Sequence, residues 1–148
     1  MMKKRSLLLL LLAPALALAV STTPAQDEYS FRVIAHPEVR VDWISKSDAS
    51  DYFLKKTPRW TDGADIKPID LNVQEVRNEF STAIHDRSRS AIKKYWQRQI
   101  FTGRGTPPPE KDSEREIVEF VSSTPGAIGY VSSGYSLGGA GVKVLKIN

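Results

Sequence analysis

Thr102-Gly103-Arg104-Gly105 is the stretch whose residue types could recognise a ligand with least help from the rest of the chain. Its glycines let successive N–H groups converge into a nest, and the Arg104 guanidinium beside them would complement an oxyanion. The competing reading is a plain helix-terminating loop, because glycine commonly ends helices. Gly134-Tyr135-Ser136-Leu137-Gly138 has the G-x-S-x-G form of a hydrolase nucleophile elbow. That elbow needs a helix directly after Ser136, which Gly138-Gly139-Ala140-Gly141 opposes. It also needs a later histidine, whereas His36 and His85 both come earlier. No nucleophile–base pair can be assembled, and the expectation is a protein without catalysis. Two histidines far apart, with no cysteine, give neither clustered metal ligands nor a disulfide, so no metal and no cofactor are expected. Arg87, Arg89, Lys93, Lys94, Arg98 and Arg104 surround Tyr95 and Trp96. This basic-aromatic stretch reads as a solvated helix face with its aromatics in the core, or as a docking face for an acidic partner or an anionic envelope surface.

The amino terminus narrows the partners. Met1-Met2-Lys3-Lys4-Arg5 is basic, Leu7 to Leu12 is an unbroken leucine run, and Ala17-Leu18-Ala19 is a small-x-small cleavage signal. Together they predict a secretory signal peptide over residues 1–25, cleaved after Ala19 or Ala25, and a folded domain over 26–148. The apolar run from Leu7 to Val20 contains Pro14 and is shorter than the ~20 residues a spanning helix needs, so no membrane span is expected after cleavage. Without cysteine there is no lipobox, which leaves a periplasmic or secreted protein. The 21 Lys and Arg against 17 Asp and Glu become 21 − 3 = 18 against 17 once Lys3, Lys4 and Arg5 are removed. A nearly neutral exported protein is a poor nucleic-acid binder, and none is expected as a partner.

The elements that must position any site follow from periodicity. Phe31-Arg32-Val33-Ile34-Ala35-His36-Pro37 reads as a strand stopped by Pro37. Ser45-Lys46-Ser47-Asp48 is a capping box, and Ala49, Tyr52 and Phe53 at i, i+3 and i+4 give the short helix after it an apolar face. Asp65 to Leu71 alternates, with Pro68 confining it to an edge or an interruption. Val73, Val76, Phe80, Ala83 and Ile84 mark a second helix; Ile92, Tyr95, Trp96, Gln99 and Ile100 mark a third, broken by Thr102 to Pro109. Ser113 to Glu116 is a second capping box, opening a helix through Ile117, Phe120 and Val121. Thr124-Pro125-Gly126 is a corner, Ala127 to Val131 a short buried strand, and Val142 to Ile147 an alternating return strand. Glycines at 126 and 129 imply close backbone approach to that buried strand. Trp43, Trp60, Tyr95, Trp96 and Tyr130 are expected in the core. The order β-α-β-α-α-α-β-β predicts an α/β domain, a mixed sheet flanked by helices.

Two segments in register resemble a known family. "ISKSDASDYFLKKTPRWTDG" is similar to the L-S-x-x-x-L-x-x-I-F-x-G-K-x-x-x-W-x-D-G signature of phosphate-type periplasmic substrate-binding proteins, and "VSSTPGAIGYVSSGYSLGGAGVKVLKIN" to that family's V-x-x-T-P-G-A-I-G-Y-V element with its return strand. The resemblance runs from about Phe31 to the carboxyl terminus and implies a single lobe, the second, of a type 2 periplasmic-binding-protein fold. It further implies a binding module that takes phosphate or a related oxyanion and works with an ABC importer. The alternative is an envelope protein–protein interaction domain built on the same scaffold. The family's anion loop, R-x-x-G-S-G-T, would coincide with Asp70-Leu71-Asn72-Val73-Gln74-Glu75-Val76, where neither the arginine nor the Gly-Ser-Gly-Thr run is present. Such a loop works by aiming N–H groups at the anion from a helix N-terminus. Asp70 and Glu75 place negative charge there instead, and at ~4 Å and an effective dielectric of ~20 a like charge costs about 4 kcal/mol. Asn72 is the candidate ligand contact within this stretch, beside Thr102, Gly103, Arg104 and Gly105.

Overall fold

The computed structural model of the chain describes residues 29–148, so the expected signal peptide lies outside the described residues. The first strand, β1 (Phe31–Ala35), is the centre of a five-stranded mixed sheet. It pairs antiparallel with β6 (Ala127–Ser132) on one side and β7 (Lys143–Ile147) on the other. The two edges are parallel additions: β2 (Trp43–Ile44) beside β7, and β3 (Lys67–Pro68) beside β6. The Ala127–Val131 run is buried at every position because helices cover both faces of its strand, which removes the need for alternation.

Local signals explain most boundaries. In α1 (Lys46–Phe53), the Ser45 side chain accepts from the Asp48 N–H, the Asp48 carboxylate accepts from the Ser45 N–H, and Ala49, Tyr52 and Phe53 are buried as the spacing predicts. Helix α4 (Glu114–Ser123) starts at Ser113, whose hydroxyl accepts from the Glu116 N–H, and lays Ile117 and Val121 against β6. Here the capping box is half made: the Glu116 carboxylate takes the Ser113 hydroxyl rather than its N–H. At the Thr124-Pro125-Gly126 corner, Gly126 has φ +82° and its carbonyl accepts from the Lys67 N–H at 3.1 Å and from the Trp60 indole at 3.0 Å. Trp60 therefore plugs the edge of the core, packed edge-on to Tyr52.

Three expectations need correction. The predicted strand over Asp65–Leu71 is two strands. β3 hydrogen-bonds to β6; beyond Ile69 the chain turns away, and β4 (Asp70–Leu71) pairs in parallel with β5 (Glu110–Lys111). β5 lies directly after the proline run and has no alternating pattern to announce it. Trp43 is 59% exposed, because β2 is a two-residue edge strand that turns Ile44 inward and Trp43 out. Helix α3 (Arg89–Phe101) buries only Ile92; Tyr95 and Trp96 are half-buried and Ile100 is 54% exposed, so the expected apolar face is mostly open. Helix α2 (Gln74–His85) lies between α3 and the core and buries Val76, Phe80, Ser81 and Ile84. Phe80 stacks flat on Tyr130 at 3.9 Å between centroids, and both rings meet Phe31 and Phe53 edge-on.

Candidate functional site

A cleft of about 620 Å³ opens between α2, α3 and the segment Pro107–Glu110, with Phe53 and Leu54 at one end. Its polar floor is built by the chain crossing from one sheet to the other. At Asp70 the backbone leaves β6 for β5, donating its N–H to the Pro109 carbonyl at 2.9 Å, and this brings the Asp70 and Glu110 carboxylates together. Arg77, on the first turn and a half of α2, reaches both: one terminal nitrogen lies 2.9 Å from Asp70 Oδ2 and 2.5 Å from Glu110 Oε1. Its other terminal nitrogen donates to Asn72 Oδ1 at 3.5 Å. Asn72 also accepts from Arg89 at 3.3 Å and donates to Asp112 at 2.9 Å. From beneath, the Tyr130 hydroxyl donates to Asp70 Oδ1, which also accepts the Leu71 N–H at 3.0 Å.

This network is largely out of water: the Arg77 side chain is 14% exposed and that of Asp70 19%. Burial pushes the Asp70 carboxyl above its usual range, and Arg77 and the Tyr130 hydroxyl only partly offset that. Burial works against the Arg77 cation, but the bond to Glu110 and the field of Asp70 outweigh it and raise its pKa. The Tyr130 phenol is pushed up by burial and by the adjacent Asp70 charge, so it stays a neutral donor. Farther along the cleft, His85 accepts from or donates to the Ser50 hydroxyl at 2.8 Å, and burial next to Arg87 and Lys56 lowers its pKa to about 4. The imidazole is neutral at pH 7.

The sequence-derived candidates separate. Asn72 lies in the network, with its side chain already engaged on both ends. Thr102–Gly105 is exposed at the far end of α3. There Gly103, at φ +67°, donates its N–H to the Ile100 carbonyl at 3.1 Å, and Arg104 donates to Gln99 at 2.9 Å. This is a Schellman closure, in which both N–H groups are used by the helix itself. Asp70, Arg77, Glu110 and Tyr130 were not singled out as site residues from the sequence. One signal could have pointed to them: Arg77 sits between Val76 and Phe80 on the buried side of α2, where a cation requires a carboxylate partner. The segment Asp70–Val76 does lead into a helix, as the resemblance implies, and its N-cap, Val73, offers no side-chain hydrogen bond.

No protein-family model and no curated protein sequence matches the chain. Its fold matches solved substrate-binding proteins. PstS from Borrelia burgdorferi is 21% identical with a TM-score of 0.56; 81% of this chain aligns with 47% of it. An ABC-type phosphate transport receptor from Vibrio cholerae is 11% identical with a TM-score of 0.58; 80% of this chain aligns with 46% of it. The chain thus spans under half the length of the structures it resembles, and what is shared is the fold: a mixed sheet flanked by four helices.

Proposed function

We propose that the chain is an exported solute-binding module that holds a small oxyanion in the cleft between α2 and α3, for hand-over to an ABC importer. The observation behind this reading is the cation set of the cleft. Arg77 is ion-paired with Asp70 and Glu110 in the floor, and Arg89 and Lys93 add two cations from α3, three positive charges against two, for a net +1. A concave site with few polar groups and apolar walls is the usual form of a small-molecule pocket. The fold shared with phosphate-binding proteins supports the transport role, and the signal-peptide-like pattern of the first 25 residues supports the compartment. The missing anion loop is no obstacle to this reading, because the cleft cations come from α2 and α3 and not from a glycine-rich turn.

A second reading, an envelope interaction domain without a ligand, rests on one feature. Phe101 is 92% exposed next to Ile100, 54% exposed, at the end of α3, an apolar pair left open among the described residues. The two are separated by thermal-shift titration of the exported protein with phosphate, sulfate and phenyl phosphate. A ligand present at a hundredfold over its Kd adds ~2.7 kcal/mol of stability, a readily visible shift. The expected result is a shift with at least one of these anions, abolished in Arg89→Gln/Lys93→Gln and retained in Arg104→Ala. No shift with any of them refutes the binding reading and leaves the interaction domain.

A further inference from the structure

The cleft is not uniform, and its asymmetry specifies more than an oxyanion. On α3, Arg89, Lys93, Trp96 and Ile100 succeed one another at intervals of four, three and four residues, and all line the cleft. That spacing puts them on one helix face, so the wall is cationic in its first half and apolar in its second. Phe53, Leu54, Pro107 and Pro108 add further apolar surface to the lining. The cationic half has its own distinction. Arg77 is saturated by Asp70 and Glu110 and offers an anion little net charge. Among the described residues, Lys93 has no hydrogen-bond or ion-pair partner, and Arg89 has only the neutral Asn72 carbonyl oxygen.

We infer that the cleft binds a small amphiphilic organic monoanion, its charged group between Arg89 and Lys93 and its aryl or alkyl body across Trp96 and Ile100. This rests on the cleft being a solute site, as proposed above. Two physical arguments favour it over bare phosphate. The volume, about 620 Å³, is that of sites for organic ligands, which typically run from ~300 to ~1,000 Å³, and an inorganic ion would leave the apolar half wet. The net +1 of the lining suits one negative charge, whereas a dianion would face Asp70 and Glu110 with an uncompensated second charge. With the 1.5 Å rise per residue of an α-helix, the path from Arg89 to Ile100 is roughly 16 Å, enough for a head and a ring or a short chain.

The test is titration calorimetry of the exported protein with benzenesulfonate, octanoate, inorganic phosphate and phenol. Benzenesulfonate or octanoate, each a monoanion at pH 7, is expected to bind at least about tenfold more tightly than phosphate, and phenol at least about tenfold more weakly than either. Ile100→Ser changes an exposed side chain and leaves the fold intact; it and Trp96→Ala should erase most of the preference over phosphate. Lys93→Gln should weaken the organic anions about tenfold, the ~1.4 kcal/mol of one charged contact. Equal or tighter binding of inorganic phosphate, unaffected by Ile100→Ser, overturns the inference while leaving an oxyanion site in place. Equal binding of phenol overturns the role given to Arg89 and Lys93. Binding of none of the four removes both the inference and the solute-site reading beneath it.

Discussion

Adding one methyl group to Gly129 tests the packing that organises the fold. Gly129 sits in β6 opposite Ile34, at an ordinary strand conformation, so no backbone strain enters. A Cβ there would stand 2.8 Å from the Ile69 γ-methyl, 3.0 Å from that of Ile117 and 3.2 Å from that of Val121. Ordinary carbon contacts begin at about 3.5 Å, so the methyl is short of space by about 0.3 to 0.7 Å on three sides at once. Ile69 is on the crossing between the sheets, while Ile117 and Val121 are on α4; to make room, the helix must lift from the sheet. Overpacking of this kind costs ~1–3 kcal/mol. Against it stands the ~0.5–1 kcal/mol by which alanine exceeds glycine within a strand. The net expectation for Gly129→Ala is a loss of ~0.5–2 kcal/mol, and for Gly129→Val, with two further methyls, the top of the overpacking range or beyond. In urea, with m of ~1–3 kcal/mol/M, the alanine variant should lower the midpoint by several tenths of a molar with m unchanged. Ile69→Leu removes the nearest γ-methyl, and in that background the same substitution should cost at least ~0.5 kcal/mol less. A single variant at or above the wild-type midpoint, or strict additivity with Ile69→Leu, would refute the account of why this position is glycine.

Two further measurements probe the cleft floor and its neighbour. Arg77→Met strands the Asp70 carboxylate in a mostly buried site, and a loss of ~2–4 kcal/mol is expected in the same urea assay; less than ~0.5 kcal/mol would mean that the network behaves as a surface ion pair. His85 has a folded pKa of about 4 against 6.5 for the free side chain, so the unfolded chain binds the extra proton. Its contribution is fully present above pH 6.5 and is lost as pH falls toward 4, up to a ceiling of about 3 kcal/mol. The difference in stability between wild type and His85→Gln, followed over that window, should carry this slope. Asp70, with its pKa raised, contributes a slope of opposite sign common to both proteins. A difference independent of pH would show His85 to be solvated.

The fold was legible where local chemistry and tertiary structure agree. Ser45 and Asp48 close α1 by themselves, Pro37 ends β1, and the corner at Pro125-Gly126 needs only its own residues to turn. It was illegible where pairing with a distant strand decides the conformation. Glu110 and Lys111 are polar, follow three prolines and are extended because Asp70 and Leu71, forty residues earlier, pair with them. Trp43 shows the converse failure. A tryptophan is a strong prior for burial, but a two-residue edge strand has one covered face, and Ile44 takes it.

The site divides in the same way, and the division bears on what the cleft can recognise. The sequence alone presents Asp70 as a charge hostile to an anion. The structure shows that charge already committed: Arg77, Tyr130 and the Leu71 N–H consume the carboxylate and tie β4, β6 and α2 into one unit. A floor so fully hydrogen-bonded resists rearrangement, since removing any partner leaves another buried group unsatisfied. On the reading proposed above, discrimination among ligands would then fall to the opposite wall, where α3 buries only Ile92 and Arg89, Lys93, Trp96 and Ile100 line the cleft. Those residues obey no burial rule that would have made them readable as a site. From the sequence, Arg89 and Lys93 read as a solvated or docking helix face; only the fold shows a cleft opening in front of them.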